Sequence, residues 1–260
     1  NLFFNLCYME HPILTSDKFK YIQSKEDGEV LLLLHGLFGG LSNFTDLFEY
    51  FKDSHRVIIP MLPIYELPLL KVSVSGLVDY IDDFVDHMGI DKVHVLGNSL
   101  GGHIAILYAL KRPEKISSVT LTGSSGLFES AMGSTYPRRG DYNFIKKKTE
   151  STFFRPEVAT KELIDEVFSI VNDRSKGIRI VATAKSAVRH NLEGVLHGIV
   201  APTCLIWGKN DSITPPFVAE KFHELIKNSQ LFFLDECGHS PMMEKPEEFN
   251  AILKKFLSEA

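Results

Sequence analysis

The chain has 260 residues, 44% of them hydrophobic and 23% charged, with a formal net charge of −5. That length suits one large domain or a core carrying an inserted subdomain, and the acidic balance excludes a global bias toward nucleic acid or an anionic membrane. No run of about 18 apolar residues marks a transmembrane helix, and three widely spaced cysteines, Cys7, Cys204 and Cys237, argue against a disulfide framework and for a reducing, cytoplasmic compartment. An upstream leader is compatible with a sequence that starts at Asn1. In chain order, 19–23 and 29–34 read as the first strands. The second, "VLLLL", is a continuous apolar run, as a strand buried on both faces requires. It stops at "HGLFGG", and the next such run, "RVIIPML", starts at Arg56. A helix follows, with Leu77, Ile81, Phe84, Val85 and Met88 at steps of three and four and Gly89 placed as its C-terminal cap.

Residues 92–96 are strand again, "LGGHIAILYAL" is helix stopped by Pro113, and "ISSVTLTG" is strand. Strands alternating with helices mean βαβ units and a mostly parallel sheet. The alternation breaks at Ser124. From there to His197 no apolar strand run appears, and Thr160 can cap a helix whose stripe is Leu163, Ile164, Val167, Phe168 and Val171. Residues 124–197 therefore read as a helical insertion between a first core part, 1–123, and a second, 198–260. The basic stretch Arg138, Arg139 and Lys146 to Lys148 reads as a solvated face. The alternation resumes with "TCLIWG", a helix over 216–226, "QLFFLD", and a last helix from Pro246 with Glu247 and Glu248 in its first turn.

The chemistry centres on Gly97-Asn98-Ser99-Leu100-Gly101. A serine between a buried strand and a helix must turn the chain sharply, and side chains two residues either side would collide, hence the glycines. The turn lifts the hydroxyl above the carboxyl end of the sheet, where ligands of open α/β sheets bind. It also aims the Leu100 N–H, at a helix N-terminus, toward any negative charge formed beside Ser99. A serine nucleophile needs a base. His239, in "DECGHSPMMEKPEEF" after the last strand, is the candidate. His35 competes but reads as support for its glycine loop, while His94 and His103 read as core and packing histidines. His87, His190, His197 and His223 read as surface or insertion. The base needs an acid to hold its tautomer. Asp211, in "WGKNDSITP" after the strand "CLIW", supplies it, with Asp235 as rival. The second oxyanion donor comes from "HGLFGG", Leu37 first and Phe38 second. That loop matches neither G-x-x-x-x-G-K-[ST] nor G-x-G-x-x-G, so a phosphate cradle is disfavoured. No CxxC pair or His-x-x-x-His helix suggests a metal site, and no cofactor is called for.

In this order, "HGLFGG", "GNSLGG", "IWGKND" and "CGHSPMMEKPEEF" resemble the oxyanion loop, nucleophile elbow, acid loop and histidine loop of the α/β-hydrolase superfamily of serine hydrolases, over essentially the whole chain. The resemblance implies an α/β fold with a mostly parallel sheet of about eight strands, flanked by helices, and a helical lid between the sixth and seventh strands. It points to the branch of carboxylesterases and of hydrolases that cleave carbon–carbon bonds of ring-fission products. "IYELPLL" departs from the glycine-rich turn many relatives carry there. The expected activity is cofactor-free hydrolysis of a carboxylic ester with a small or medium acyl group, a small-molecule substrate. The alternative is carbon–carbon cleavage of a dienoic or diketone acid, with Arg174 holding a carboxylate. A ligand-binding receptor on the same fold is a third reading. Phe38 and Asn98 are the other expected substrate contacts. Phe38 narrows the acyl site where carbon–carbon hydrolases of the superfamily carry small residues and a proline, and Ser240 stands where they place a tryptophan after the histidine.

Overall fold

The computed structural model describes residues 11–129 and 138–260. Cys7 and residues 130–137 of the insertion lie outside the described residues. Eight strands form one sheet: β1 (Leu14–Ser16), β2 (Phe19–Gln23), β3 (Val30–Leu34), β4 (Arg56–Pro60), β5 (Val93–Asn98), β6 (Ile116–Thr122), β7 (Thr203–Gly208) and β8 (Ser229–Leu234). Their spatial order is β1-β2-β4-β3-β5-β6-β7-β8. All neighbours from β4 to β8 pair parallel, whereas β2 runs antiparallel to both β1 and β4. β1 is a strand the sequence pattern does not announce. Its three residues form the outer arm of a hairpin turned by Asp17, whose φ is 52°, and an edge strand that short has no room for an apolar alternation.

The strand β3 shows why the central strands are apolar throughout. Leu32 and Leu34 face one layer with Leu77, Ile81 and Phe84 of α2 (Val74–His87) and Ile104 and Tyr108 of α3 (Leu100–Lys111). Leu31 and Leu33 face the other, with Leu47, Phe48 and Phe51 of α1 (Thr45–Phe51). Residues that point alternately to two buried layers must all be hydrophobic. The helix over 74–87 is capped by Ser73, whose hydroxyl accepts the Gly76 N–H at 3.0 Å, and it ends at Gly89 with φ 62°, as the spacing predicts.

Among the described residues, three α-helices stand between β6 and β7: α4 (Tyr142–Glu150), α5 (Lys161–Asn172) and α6 (Arg174–Arg189). Thr160 caps α5 through the Leu163 N–H. The expected stripe gains Ile170 as a buried member, while Leu163 and Phe168 are only partly buried. Helix α6 follows after the single residue Asp173, which caps it through Lys176. Its five cations and scattered small residues give no clean apolar face, so the sequence does not delimit it. The ends of this insertion are tied together: Leu192 N–H donates to Gly126 O at 2.7 Å and Asn191 Nδ2 to Leu127 O at 3.1 Å. In the basic stretch, Arg138 pairs with Asp141 at 2.9 Å and Lys146 lies 3.7 Å from Glu150. The chain closes with α7 (Pro216–Leu225), the single turn α8 (Pro241–Glu244) and α9 (Pro246–Leu257), whose Phe249, Leu253 and Phe256 fill the α1 side of the core.

Candidate active site

Ser99 occupies φ 56°, ψ −119°, a region that costs an L-residue of order 1–3 kcal/mol and persists only where the surroundings enforce it. The enforcement comes from packing. A Cβ on Gly97 would lie 2.3 Å from Gly101 O, and one on Gly101 would lie 1.9 Å from Leu34 O. The Ser99 carbonyl accepts from Gly102 N, His103 N and Ser125 N at 3.0, 3.3 and 3.1 Å. β5 thus delivers a partly exposed serine between the buried residues Asn98 and Leu100.

The loop 35–40 lies directly against this turn: a Cβ on Gly36 would meet Ser99 Cβ at 3.1 Å. Gly39 N–H donates to Gly36 O at 3.0 Å, and the Tyr65 hydroxyl donates to Leu37 O at 3.0 Å. Tyr65 belongs to "IYELPLL", the segment that departs from the usual turn. It braces the loop from below, a contact with no sequence signal. Among the described residues no acceptor within the chain takes the N–H of Leu37, Phe38 or Leu100. His35 does support the loop. Its Nδ1 bonds Gly36 O at 2.9 Å and its Nε2 accepts Leu62 N–H at 3.3 Å, and burial holds its pKa below the ordinary imidazole value. With both nitrogens engaged it is not free to act as a base. His94 is satisfied by Ser118 Oγ at 2.7 Å.

Asp211 and His239 meet at the same end of the sheet. The Asp211 side chain is fully buried, and its Oδ2 lies 2.9 Å from His239 Nδ1. Its Oδ1 accepts from Ile213 N and Thr214 N at 2.8 and 2.9 Å, and Oδ2 also accepts from Thr214 Oγ1 at 2.8 Å. A carboxylate so supplied with donors is held in one orientation. Asp235 shares no hydrogen bond with His239 among the described residues. It is 77% exposed and pairs with Lys209 at 2.7 Å. The His239 ring rests on Gly123, where a Cβ would lie 2.9 Å from Nδ1, and its backbone N–H donates to Thr152 O at 2.9 Å. No hydrogen bond joins Ser99 Oγ to His239 among the described residues; such bonds are commonly long until substrate arrives. Thr214, Gly123 and Thr152 all went unread in the sequence, since each acts through a contact made only on folding.

One expected substrate contact is corrected. Asn98 is 3% exposed and turned inward. Its Nδ2 donates to Thr122 O at 3.0 Å and His239 O at 3.1 Å, so it pins the histidine loop beside the elbow rather than meeting substrate. Arg174 is exposed at the first position of α6 and shares no hydrogen bond or ion pair with Ser99 or His239 among the described residues. Phe38, by contrast, is partly buried against Ile145, Val167 and Val171 of the insertion, so it bridges the loop and the helices above it. Cys204 and Cys237 are buried and free. Burial pushes the Cys204 thiol up to about 12 and raises Cys237 as well, so neither supplies a thiolate. Among the described residues no group of three His, Cys, Asp or Glu could hold a metal ion, and no helix is long and apolar enough to cross a membrane.

Comparison with known proteins agrees with this architecture. The family model described as "Alpha/beta hydrolase family" matches residues 31–252. The crystal structure of MGS-MChE2, an alpha/beta hydrolase enzyme from the metagenome of sediments from the lagoon of Mar Chica, Morocco, is 41% identical. It covers 95% of this chain and 98% of its own, with a TM-score of 0.79. Monoacylglycerol lipase abhd6-A of Xenopus laevis is 28% identical over 277 residues, covering 93% of this chain and 79% of that protein. The 2-hydroxy-6-oxo-6-phenylhexa-2,4-dienoate hydrolase of Comamonas testosteroni is 26% identical over 264 residues, covering 93% and 92%.

Proposed function

The chain belongs to the α/β-hydrolase family, and on that premise we propose that it is a serine hydrolase of carboxylic esters with small or medium acyl groups, working through an acyl-enzyme. Ser99 Oγ attacks the ester carbonyl and passes its proton to His239 Nε2. The imidazolium so formed is stabilised by Asp211 at the other ring nitrogen. Negative charge on the carbonyl oxygen is received by the N–H groups of Leu37 and Leu100, an arrangement that contributes a few kcal/mol to the transition state. His239 returns the proton to the leaving alcohol, then activates water to release the acid. The observation that carries the reading is the 2.9 Å contact between His239 Nδ1 and a fully buried, four-times-donated Asp211 carboxylate beside a strained serine turn.

The helices α4 to α6 act as the lid, and Phe38, packed against them, limits the acyl side of the site. That favours a compact acyl group over a long or branched one. The relative named as a monoacylglycerol lipase lends support to ester chemistry. Carbon–carbon hydrolysis keeps one supporting observation, the relative named as a dienoate hydrolase. Its expected carboxylate partner, Arg174, stands exposed at the start of α6. The test is kcat/KM for a series of aryl esters of increasing acyl length and for a ring-fission dienoic acid, on one preparation. Short acyl esters are expected to lead. A dienoic acid preferred about tenfold, a difference of about 1.4 kcal/mol in transition-state binding, would turn the reading to carbon–carbon cleavage.

A further inference from the structure

Glu244, on α8 one turn past His239, is a carboxylate with 2% exposure. No lysine or arginine side chain forms an ion pair with it among the described residues. Its charge is met by backbone. Oε1 accepts the Gly238 N–H at 2.9 Å, and Oε2 accepts the Phe154 N–H at 2.8 Å. Its own carbonyl accepts Arg155 Nη2 at 2.9 Å. Gly238 is the residue before His239. Phe154 belongs to residues 151–155, the chain leaving α4. That same stretch takes the His239 N–H at Thr152 O and the Ser212 hydroxyl at Ser151 O, at 2.9 and 3.2 Å. The fit is close: a Cβ on Gly238 would stand 2.7 Å from Thr152 O, 2.8 Å from Phe154 N and 3.0 Å from Glu244 Oε1. One carboxylate therefore spans two chain segments far apart in sequence, and the backbone of the His239 loop hangs between them. A glutamate costs free energy to bury there, and it is the side chain whose two acceptor oxygens match the two backbone donors, one buried and one partly so.

We propose that Glu244 is a positioning residue: its carboxylate clamps the histidine loop to the segment behind α4 and so fixes where the His239 ring stands relative to Ser99. On this account the inserted helices are part of the machinery that sets base geometry, as well as a cover for the site. The proposal rests on the assignment of Ser99 as nucleophile and His239 as base. Displacement of a catalytic group by about 1 Å can cost about a hundredfold in rate, whereas substrate binding need not change.

The test uses the full chain in three forms: wild type, Glu244→Gln and Leu253→Ala. Glu244→Gln keeps the shape and one acceptor but turns an NH₂ toward a backbone N–H. Leu253→Ala opens the α9 core and lowers stability while leaving every hydrogen bond of Glu244 and Gly238 in place. Each is measured below its own Tm for the rate of fluorophosphonate labelling at Ser99 and for kcat and KM on a short aryl ester. Glu244→Gln is expected to label at least about tenfold more slowly, with kcat reduced to match and KM within about twofold, while Leu253→Ala labels at the wild-type rate. If Glu244→Gln does not fold, Glu244→Asp, which keeps the charge but is too short for both donors, is expected to give the same split. Labelling of the Glu244 variant at the wild-type rate, or slowed no more than Leu253→Ala, overturns the proposal and leaves the serine assignment standing. A wild-type protein that does not label at Ser99 overturns both.

Discussion

Asp211 spends its two oxygens on four donors, so the His239 ring, held at Nδ1, keeps only Nε2 for a further partner. Asp211→Asn places a donor where an acceptor is required and is expected to lower kcat by three to four orders of magnitude, by roughly the effect known for such tautomer errors. Asp235→Asn, at an exposed ion pair with Lys209, is expected to stay within about twofold, as exposed pairs contribute little. Steady-state kinetics of both on one ester decides it; comparable losses would remove Asp211 from its role. A second residue with a readable consequence is His103. It is fully buried on α3 with neither ring nitrogen at hydrogen-bond geometry. Burial, with the charge of His190 added, pushes its pKa down to about 3. The folded state therefore refuses a proton that the unfolded state accepts below about pH 6.5, so stability is complete above that pH and is lost as pH falls toward 3. His103→Leu is expected to leave Tm at neutral pH unchanged or higher and to flatten its decline between about pH 6.5 and pH 4. Thermal unfolding across that range is the check; an equally steep decline in the variant would refute the assignment. The proposed triad positions were read from loops that follow the strands β5, β7 and β8. Thr214, Gly123, Thr152 and the inward turn of Asn98 were not, because their meaning lies in contacts between segments distant in the chain.

At the scale of elements, the parallel strands β3 and β7 read clearly from sequence as near-continuous apolar runs, as burial on both faces requires, and β5 and β6 from their alternation with helices. β1, α1 and α6 did not. The first is too short to show a period, the second is a two-turn helix in an aromatic stretch, and the third carries cations around most of its circumference. The elbow is where element and chemistry meet. Gly101→Ala would drive a methyl group to 1.9 Å from Leu34 O, so helix α3 must shift away from β3. It is expected to lower both Tm and labelling at Ser99, whereas Leu33→Ala, fully buried on the opposite layer, should cost about 2–5 kcal/mol of stability while the folded fraction keeps its kcat. Denaturant unfolding paired with active-site titration separates the two. Equal loss of specific activity in both variants would mean that the glycine serves packing alone.

Across the whole molecule, the sheet sets Ser99, Asp211 and His239 on loops that follow its strands, and the segment between β6 and β7 reaches back to them. It does so through Phe38 on one side and through Thr152, Phe154 and Glu244 on the other. A site shared in this way between a rigid sheet and an inserted helical segment can keep its chemistry while substrate preference changes with the helices. This is why the family followed from four short motifs and the substrate did not. The central claim is that Ser99 is the nucleophile. Peptide mass spectrometry after fluorophosphonate treatment of the wild type and of Ser99→Ala measures it directly. The account predicts a single adduct on the peptide containing Ser99, absent in the variant, which stays folded and loses at least about a thousandfold in ester turnover. An adduct on another serine, such as Ser125 or Ser240, or undiminished turnover in Ser99→Ala, would contradict it.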